Sequence, residues 1–432
     1  MMREDWIEVE LGDVASKITD GSHNPPKKQD VGLPMLSATN ILDDEIVFDN
    51  YRLIDPVEFE SECKRANVEP EDILLTIVGT IGRSAVVPHN IKKFTLQRSV
   101  ALIKLDGLNS KYISFALRSP SIQSFFKEQS KGTAQKGIYL NTLKKITIPL
   151  APLPEQRAIA AKIEQLFSEL DNGIANLKAA KSKLEIYRQA ILKQAFEESL
   201  NSVCFNLSEI TNKIQIGPFG SQLHKEDYVE GGIPLINPMH IQDGQIYPSS
   251  SYSITIQKRD SLPNYILLKD DVIMGRRGEM GRCGLITKKE EGWFCGTGSL
   301  YLRPIKQKVY PIFLYYYLRS PIIKELLTGK ATGTTMMNLN KTIISELPIN
   351  LPSIEEQIQI VQEIETRLSV CDKLNESIDQ SLEKAQALRQ SILKKAFEGK
   401  LLSQDELQTC RQQPDWEPAA KLLERVKNKK SK

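Results

Sequence analysis

The sequence has 432 residues, of which 41% are hydrophobic and 26% are charged. This length predicts two or three domains, and this composition is typical of a globular protein and excludes disorder for most of the chain. No apolar run approaches the roughly 18 residues of a membrane span. The six cysteines are scattered without a C-x-x-C pair, and Met1–Trp6 contains no apolar leader. We therefore expect reduced thiols, no zinc site, no membrane partner and a cytoplasmic location.

The net charge of +3 conceals an uneven distribution of charge along the chain. Residues 1–82 are strongly acidic, whereas residues 83–145 contain 12 Lys and Arg against 2 Asp and Glu. The second half repeats this pattern more weakly, and residues 276–341 contain 12 Lys and Arg against 4 Asp and Glu. Such blocks are often no more than solvated surface, but a basic block that occurs twice at matching places favours a polyanionic partner.

Residues 1–152 alternate short apolar runs with Gly, Pro and Asp turns. The runs Ile73–Val78 and Val100–Ile103 read as strands, and Lys111–Leu117 reads as a short helix. This mixture predicts an α+β domain.

A long helix is predicted next, within residues 153–200. Pro154 and Glu155 form a good helix start, and no proline interrupts the chain up to Glu198. Apolar residues recur at alternating steps of four and three from Ile159 to Ile191, which is the seam of a coiled coil. A helix of about 44 residues spans about 66 Å. Because this length exceeds the width of the preceding domain, we expect the helix to project beyond it and to pair with another long helix.

The second half of the chain repeats the first with a shift of about 200 residues. Leu117–Pro120 returns as Leu318–Pro321, and the helix end Arg188–Glu197 returns as Arg389–Glu398. The repeat predicts a second α+β domain at 201–352, a second long helix at 353–400 and a polar tail at 401–432 with a frayed basic end. Since one helix enters the second domain and the other leaves it, the two should pair antiparallel, in a pseudo-twofold tandem repeat.

Two glycine loops follow predicted strands at matching places in the two halves. Glycine lets a backbone approach another molecule closely. Each loop is either a plain hairpin turn with a solvent-facing arginine, or a loop whose N–H groups and arginine contact a phosphate or a base edge. The candidate residues are Gly79, Gly82 and Arg83 in the first half, and Arg276, Arg277, Gly278, Gly281 and Arg282 in the second.

Two polar loops also occupy matching places, before Leu140-Asn141 and Leu339-Asn340. Their small donors, amides and cations suit phosphate positioning and base reading, although ordinary exposed loops have the same composition. The candidates are Lys131, Thr133, Gln135 and Lys136, with Lys330, Thr332, Thr334 and Thr335. Weaker candidates are Ser22, His23, Ser221 and Gln222.

Catalytic motifs are weak or absent in this sequence. Asn24–Lys27 imitates the Asn-Pro-Pro-aromatic motif of adenine methyltransferases, but a lysine replaces the aromatic ring that stacks on the target base. A P-loop is absent, as is a carboxylate cluster suited to a metal nuclease. We therefore expect a protein without catalytic residues of its own.

Several motifs, in their order and duplication, resemble the specificity (S) subunit of type I restriction–modification enzymes across residues 1–425. They are Asp20–His23 with Gly32–Pro34, Gly217–Ser221 with Gly232–Pro234, Leu153–Gln156, and Lys394–Leu401. One departure is Glu198, which stands where the second copy has Gly399.

The resemblance implies that 1–152 and 201–352 are target recognition domains, each reading one half of a split sequence in double-stranded DNA. It also implies that the two long helices set the gap and dock two modification (M) subunits. In that family S-adenosylmethionine belongs to the M subunit, and ATP and magnesium belong to restriction (R) subunits. The chain itself would hold no cofactor and no metal.

Three alternatives remain open from the sequence. The first is the specificity chain of a bifunctional restriction enzyme that cuts on both sides of its site. The second is an RNA-binding protein whose G-x-x-G loops work like those of KH modules. The third is a pure coiled-coil scaffold, which would leave the repeated basic blocks without a role.

Overall fold

The chain divides into two compact units in the computed structural model, which describes residues 3–130, 137–197, 203–278, 281–330 and 339–430. Unit 1 comprises Met1–Asn176 and Ser381–Lys432, and unit 2 comprises Leu177–Gln380. Unit 2 is therefore one continuous segment, whereas unit 1 is assembled from both ends of the chain. Within the described ranges, no helix is both long and apolar enough to cross a membrane.

Strands and helices alternate throughout both units. The strands are β1 (Ile7–Glu10), β2 (Ala15–Asp20), β3 (Leu33–Leu36), β4 (Arg52–Ile54), β5 (Ile73–Thr76), β6 (Ser84–Val86), β7 (Thr95–Leu96), β8 (Val100–Leu105), β9 (Thr147–Leu150), β10 (Val203–Asn206), β11 (Thr211–Ile216), β12 (Tyr228–Val229), β13 (Ile233–Ile236), β14 (Ile241–Gln242), β15 (Gln245–Ile246), β16 (Ser253–Ile254), β17 (Val272–Gly275), β18 (Cys283–Leu285), β19 (Phe294–Cys295), β20 (Ser299–Pro304) and β21 (Pro348–Leu351). The helices are α1 (Leu11–Val14), α2 (Pro56–Arg65), α3 (Ser110–Leu117), α4 (Pro120–Gln129), α5 (Leu140–Lys144), α6 (Leu153–Glu197), α7 (Leu207–Ile210), α8 (Ile256–Ser261), α9 (Pro311–Arg319), α10 (Pro321–Lys330), α11 (Lys341–Ser345), α12 (Ile354–Phe397), α13 (Gln404–Arg411) and α14 (Ala419–Lys430).

Unit 1 is built on a four-stranded antiparallel sheet in the order β2-β8-β5-β6. Ile73 and Leu75 on one face of β5 join the core that the helices cover, while Leu74 joins a second core on the opposite face. Burial on both faces explains why this strand reads as a continuous apolar run. A smaller sheet, β4-β3-β7, contains a parallel pair between β3 and β7.

Unit 2 has the same plan, with the sheet β11-β20-β17-β18 and a smaller sheet β12-β16-β13-β19. Its β13 and β19 are again parallel, as β3 and β7 are in unit 1. Residues of β17 alternate between two cores, with Val272 in one and Ile273 in the other. The predicted α+β tandem repeat is thus confirmed, and the two units share their strand order and their packing.

The two long helices begin with the same device. In α6 the buried Gln156 accepts a hydrogen bond from the Asn109 N–H (3.1 Å) and donates one to the Ala151 carbonyl (2.8 Å). In α12 Gln357 accepts from the Tyr310 N–H (2.7 Å) and donates to the carbonyl of the proline before the helix (3.0 Å). Each glutamine amide thus ties the helix start to its own domain.

Within each unit the two helices run antiparallel. In unit 1 Arg389 of α12 pairs with Asp171 of α6. In unit 2 Arg188 of α6 lies 2.5 Å from Asp372 of α12. Both pairs join residues that the sequence repeat aligns, so the same contact is made once in each unit. The predicted antiparallel pairing is confirmed.

From Ile159 to Leu170 the predicted seam positions of α6 are buried or half-buried, but between Gly173 and Ile191 the seam is displaced from the predicted one at every second position. Leu184 and Ile191 are buried as expected, but Tyr187 is 52% exposed. The seam instead uses the half-buried Lys181, paired with Asp379 at 2.6 Å, and Arg188. A seam that contains paired cations does not register in a pattern of apolar residues.

The C-terminal tail consists of two helices packed on unit 1, so the expectation of a frayed basic end was wrong for Lys427–Lys430. Leu407 of α13 and Leu422 of α14 are buried in the core of unit 1. Arg411 lies 2.5 Å from the Asp5 carboxylate, and Lys427 lies 3.0 Å from that of Asp13. Apolar burial and these ion pairs together hold the end of the chain against its beginning.

Candidate nucleic-acid interface

The first glycine loop is a tight turn that joins β5 to β6. Gly79 and Gly82 have φ values of 79° and 92°, a left-handed conformation that glycine adopts without strain. The Thr76 N–H donates to the Arg83 carbonyl and the Gly82 N–H to that of Thr76, both at 2.9 Å. Gly79 faces open space, whereas Gly82 packs against the side chain of Gln123. Among the described residues, the half-buried Arg83 guanidinium has no ion-pair partner.

The second glycine loop joins β17 to β18 with the same left-handed glycines, Gly278 and Gly281. Two of its three arginines bind backbone carbonyls: Arg276 Nε donates to Leu339 (2.9 Å) and Arg282 Nη1 to Pro238 (3.3 Å). Burial, aided by the charge of Arg277, lowers the pKa of Arg276. Arg277 itself is exposed. Arg276 therefore supports the loop, and Arg277 is the arginine that presents its side chain to solvent.

The end of each polar loop lies beside the glycine turn of the same unit. The Ile138 N–H donates to the Ile77 carbonyl at 2.9 Å, and the Leu339 N–H donates to the Arg276 carbonyl at 3.0 Å. Most of the predicted loop residues lie outside the described ranges, and so does the side chain of Lys330, the last residue of α10. Those residues are Lys131, Thr133, Gln135, Lys136, Thr332, Thr334 and Thr335.

The weaker candidates occupy different environments in the two units. Ser22 is buried and donates to Glu62 at 2.8 Å, so it supports the loop. His23 is half exposed and contacts Asp20 at 2.7 Å. In unit 2 Ser221 is exposed, and the side-chain Oε1 of Gln222 accepts a hydrogen bond from the Tyr265 hydroxyl at 2.7 Å.

An open cleft of about 550 Å³ lies in unit 1, beside the first glycine turn. It brings His23 together with polar residues that sequence reasoning missed. These are Asp20, Arg65, Arg98, Tyr139 and Asn141. Arg98 falls inside the basic block, and Tyr139 directly precedes the repeated Leu-Asn pair, so two weak signals were available. The pairing of Asp20 with Arg65 bridges 45 residues and left no sequence signal.

The acidic and basic blocks partly neutralise each other in the folded chain. Asp72 lies 2.8 Å from Lys104, and Arg118 pairs with Asp43 and Asp44. Burial raises the pKa of Asp72, against the lowering effect of Lys104. Arg98 and Arg277, which take no part in these ion pairs, lie near the glycine turns. Charge at these edges therefore suits a polyanion.

The cysteines and the possible metal ligands were the remaining candidates for chemistry in this chain. All six cysteines are free thiols, and burial raises the pKa of Cys283 to about 12, which makes it unreactive. In the part of the chain that the structure describes, no three His, Cys, Asp or Glu side chains are grouped to hold a metal ion.

Fold and site together define a tandem recognition protein with two similar units on paired helices. The model of the type I restriction modification DNA specificity domain matches residues 3–179 and 202–384, and the chain belongs to this family. The EcoKI specificity subunit of Escherichia coli K12 is 23% identical over 448 residues, covering 98% of this chain and 95% of that protein. The EcoBI specificity subunit of Escherichia coli is 24% identical over 390 residues, covering 83% and 80%.

Two solved structures share the fold. A chain from a structure on complex assembly and conformational transition of the type I R-M system superposes with a TM-score of 0.69 at 20% identity, covering 93% of this chain and 100% of that one. The HsdS subunit of Thermoanaerobacter tengcongensis gives 0.58 at 21% identity, covering 93% and 98%. The family does not favour the bifunctional enzyme or the KH-like RNA-binding alternative.

Proposed function

We propose that this chain recognises a bipartite sequence in double-stranded DNA, each unit reading one half, within a complex that modifies and restricts DNA. The observation that carries the proposal is the repeated unit with different exposed side chains at equivalent edges. After the glycine that follows the first strand of the large sheet, unit 1 presents His23, and unit 2 presents Phe219, which is 66% exposed. One scaffold with two different readers suits a target of two unlike halves.

The chain would act without chemistry of its own, and its long helices would dock two modification subunits. Support comes from large apolar side chains on the helix faces that point away from the seam. Ile186 is 70% exposed and Val370 is 55% exposed. Exposed apolar groups on a helix favour a protein partner. S-adenosylmethionine would then belong to the modification subunit, and ATP and magnesium to restriction subunits.

Methylome sequencing of a host that carries this chain with its partner subunits tests the proposal. We expect methylation at a two-part motif with a fixed gap. Exchange of unit 2 for that of a relative should change one half of the motif only. A continuous motif, or one that does not change with this chain, would contradict the proposal. Competition between duplex DNA and single-stranded RNA separates it from RNA binding.

The glycine loops supply a second test. Arg83→Ala and Arg282→Ala should each weaken specific DNA binding while assembly with the partners survives. Lys92→Ala, an exposed residue of the same basic block, is the matched control and should change affinity little. Binding should also weaken steeply with salt, because phosphate contacts release counterions. If both arginine variants bind DNA as tightly as the wild type, the loops are plain turns without a role in binding.

The long helix that continues from unit 1 into unit 2 supplies a third test. Four residues inserted near Ala180 add about 6 Å of rise and turn the helix by about 40° beyond a full circle. One base pair rotates DNA by roughly 35°. Because each unit must face its groove correctly, we weight rotation above rise and expect one extra base pair in the gap. An unchanged gap, or altered half-site bases, would show that this helix is not the spacer.

A further inference from the structure

The cleft of unit 1 contains a fixed array of hydrogen-bond donors. Asp20 ends β2 with its side chain only 10% exposed, and its carboxylate contacts both Arg65 Nη2 and His23 Nε2 at 2.7 Å. Arg65 and His23 are themselves 46% and 55% exposed. One buried carboxylate therefore orients two exposed side chains at the rim of the cleft, so that little conformational entropy is lost when they bind.

The backbone beside this array is fixed as well. The Arg98 N–H donates to the Ser22 carbonyl at 2.9 Å, and the Ser22 N–H donates to the Leu96 carbonyl at 2.8 Å. The loop that carries His23 is thus tied to the loop that carries Arg98. The Arg98 side chain is exposed and has no hydrogen-bond or ion-pair partner among the described residues. It remains available to a ligand.

The cleft is also lined by an aromatic ring and an amide. Tyr139 is 72% exposed, and Asn141 is exposed in the first turn of α5. In unit 2 the corresponding Asn340 caps α11 by accepting from the Ile343 N–H at 2.9 Å. In unit 1 the helix begins before Asn141, so the Asn141 amide does not serve as the cap.

We propose that this cleft is the base-reading site of unit 1 and that it takes the major-groove edge of a guanine. This inference rests on the proposed function. Guanine presents two acceptors, O6 and N7, in the major groove, and arginine is its usual bidentate partner. Arg98 and Arg65 supply the donors, and Asp20 acts as a positioning residue that holds Arg65 in place. The neighbouring Asn141 has the donor and acceptor pair suited to an adjacent adenine.

Unit 2 lacks this array at the equivalent positions. Lys17 donates to the Arg65 carbonyl, and the corresponding Lys213 donates to the carbonyl of Asn264. Asn264 therefore stands where unit 1 has Arg65. The strand that ends at Asp20 in unit 1 ends at Ile216 in unit 2. The guanine preference should accordingly belong to one half-site only.

The test uses the complex with its modification subunits and duplexes that contain the methylated motif. Each guanine is replaced in turn by 7-deazaguanine, which lacks the N7 acceptor. In wild type, one substitution in the half-site read by unit 1 should weaken binding about 10- to 100-fold. In Arg98→Ala that penalty should largely vanish, whereas discrimination in the other half-site should stay unchanged.

Two further variants separate reading from general charge effects. Lys93→Ala, an exposed lysine of the same basic block, should keep the full 7-deazaguanine penalty. Asp20→Asn should lower the penalty while assembly and salt dependence stay as in wild type, because only the orientation of Arg65 is lost. Arg98→Ala and Arg65→Ala complexes that retain the full penalty would overturn the cleft assignment and leave bipartite recognition intact. A wild-type complex without preference for its duplex motif would instead overturn the proposed function.

Discussion

Arg118 and Arg319 occupy the same place in the two units, directly before the Ser-Pro that starts the next helix, yet different groups hold them. In unit 1 Arg118 pairs with the carboxylates of Asp43 (3.3 Å) and Asp44. In unit 2 Arg319 donates to the Tyr315 hydroxyl (2.5 Å) and the Asp243 carbonyl (3.0 Å). An ion pair in one copy is replaced by neutral oxygens in the other, while the backbone stays the same.

The exchange is coupled to a second position. Gly244 stands where unit 1 has Asp44, and both residues have positive φ, 82° and 64°. A Cβ on Gly244 would lie 2.1 Å from the Tyr315 hydroxyl, which occupies the space of the missing carboxylate. In unit 1 the residue equivalent to Tyr315 is the small Ser114. A duplicated fold can thus change the charge of a site when two neighbouring residues change together.

The largest expected effect concerns a buried ion pair that both units contain. Asp271 is fully buried and receives two hydrogen bonds from Arg303, at 2.8 and 2.7 Å. Asp271→Ala should lower the free energy of unfolding by about 3 kcal/mol, because it leaves the arginine uncompensated. Asp72→Ala should cost about 2 kcal/mol, since Lys104 keeps Glu69 at 2.6 Å as a second partner.

Urea denaturation combined with hydrogen exchange, read separately for peptides of each unit, measures both losses. Lys306→Ala removes the exposed partner of Asp270 and is the control, with little change expected. Equal losses for the two aspartate variants would show that the second acceptor in unit 1 contributes nothing.

The next largest effect is expected from a substitution that creates a steric clash in unit 2. Gly244→Asp should destabilise unit 2 by about 2 kcal/mol, because the new side chain overlaps Tyr315. Adding Tyr315→Ser should recover most of this loss by recreating the arrangement of unit 1. Thermal unfolding of the two single variants and the double variant gives the coupling energy. Additive losses would mean that the two positions are independent.

A smaller effect depends on pH. Burial raises the pKa of Asp44, and Arg118 opposes this shift. Arg118→Gln should therefore raise the pKa of Asp44 further. A carboxyl whose folded pKa is raised binds its proton more tightly in the folded state, so stability increases as the pH falls towards that pKa.

The deficit of Arg118→Gln should thus be about 1 kcal/mol at pH 7, because Asp44 is 44% exposed and screened, and should shrink towards pH 5. Urea midpoints at the two pH values measure it. A deficit that grows on acidification would contradict this assignment of the shift.

The smallest effect concerns the long helices. Arg389 pairs with Asp171 and also lies over the Phe167 ring, 4.8 Å from its centre. Arg188 makes the equivalent ion pair with Asp372, where the repeat places Leu368 instead of the phenylalanine. Arg389→Lys should therefore cost about 0.5–1 kcal/mol more than Arg188→Lys, because lysine stacks less well on a ring. Equal losses of unfolding free energy in the two variants would show that stacking on the ring contributes nothing.

The sequence predicted features that repeat or that extend over many residues. The tandem halves and the antiparallel helices both left such signals. The predicted helix seam is wrong only in the later part of α6, where Lys181 and Arg188 occupy it as paired cations. The helices of the tail were missed because they are short and rich in charge, although α14 places Ala419, Leu422 and Val426 at helical spacing on one buried face.

The interface was harder to predict than the fold. The turns at Gly79 and Gly278 follow from local sequence, since left-handed backbone favours glycine. The cleft does not, because it brings together Asp20 from a strand, Arg65 from a helix and Arg98 from a turn. Long-range pairing of this kind depends on the packed sheet, which no local pattern specifies.

Because unit 1 is discontinuous in the sequence, the two units complete their folding in the reverse of the order in which they begin. Unit 2 is complete once residue 380 has left the ribosome, and it can fold while synthesis continues. Unit 1 begins first, but Asp5 and Asp13 must wait for Arg411 and Lys427, which are synthesised after all of unit 2. The nascent chain therefore finishes its second half before its first. A ribosome that stops before residue 400 would release a folded unit 2 attached to an unfinished unit 1, whose apolar surface stays open to chaperones.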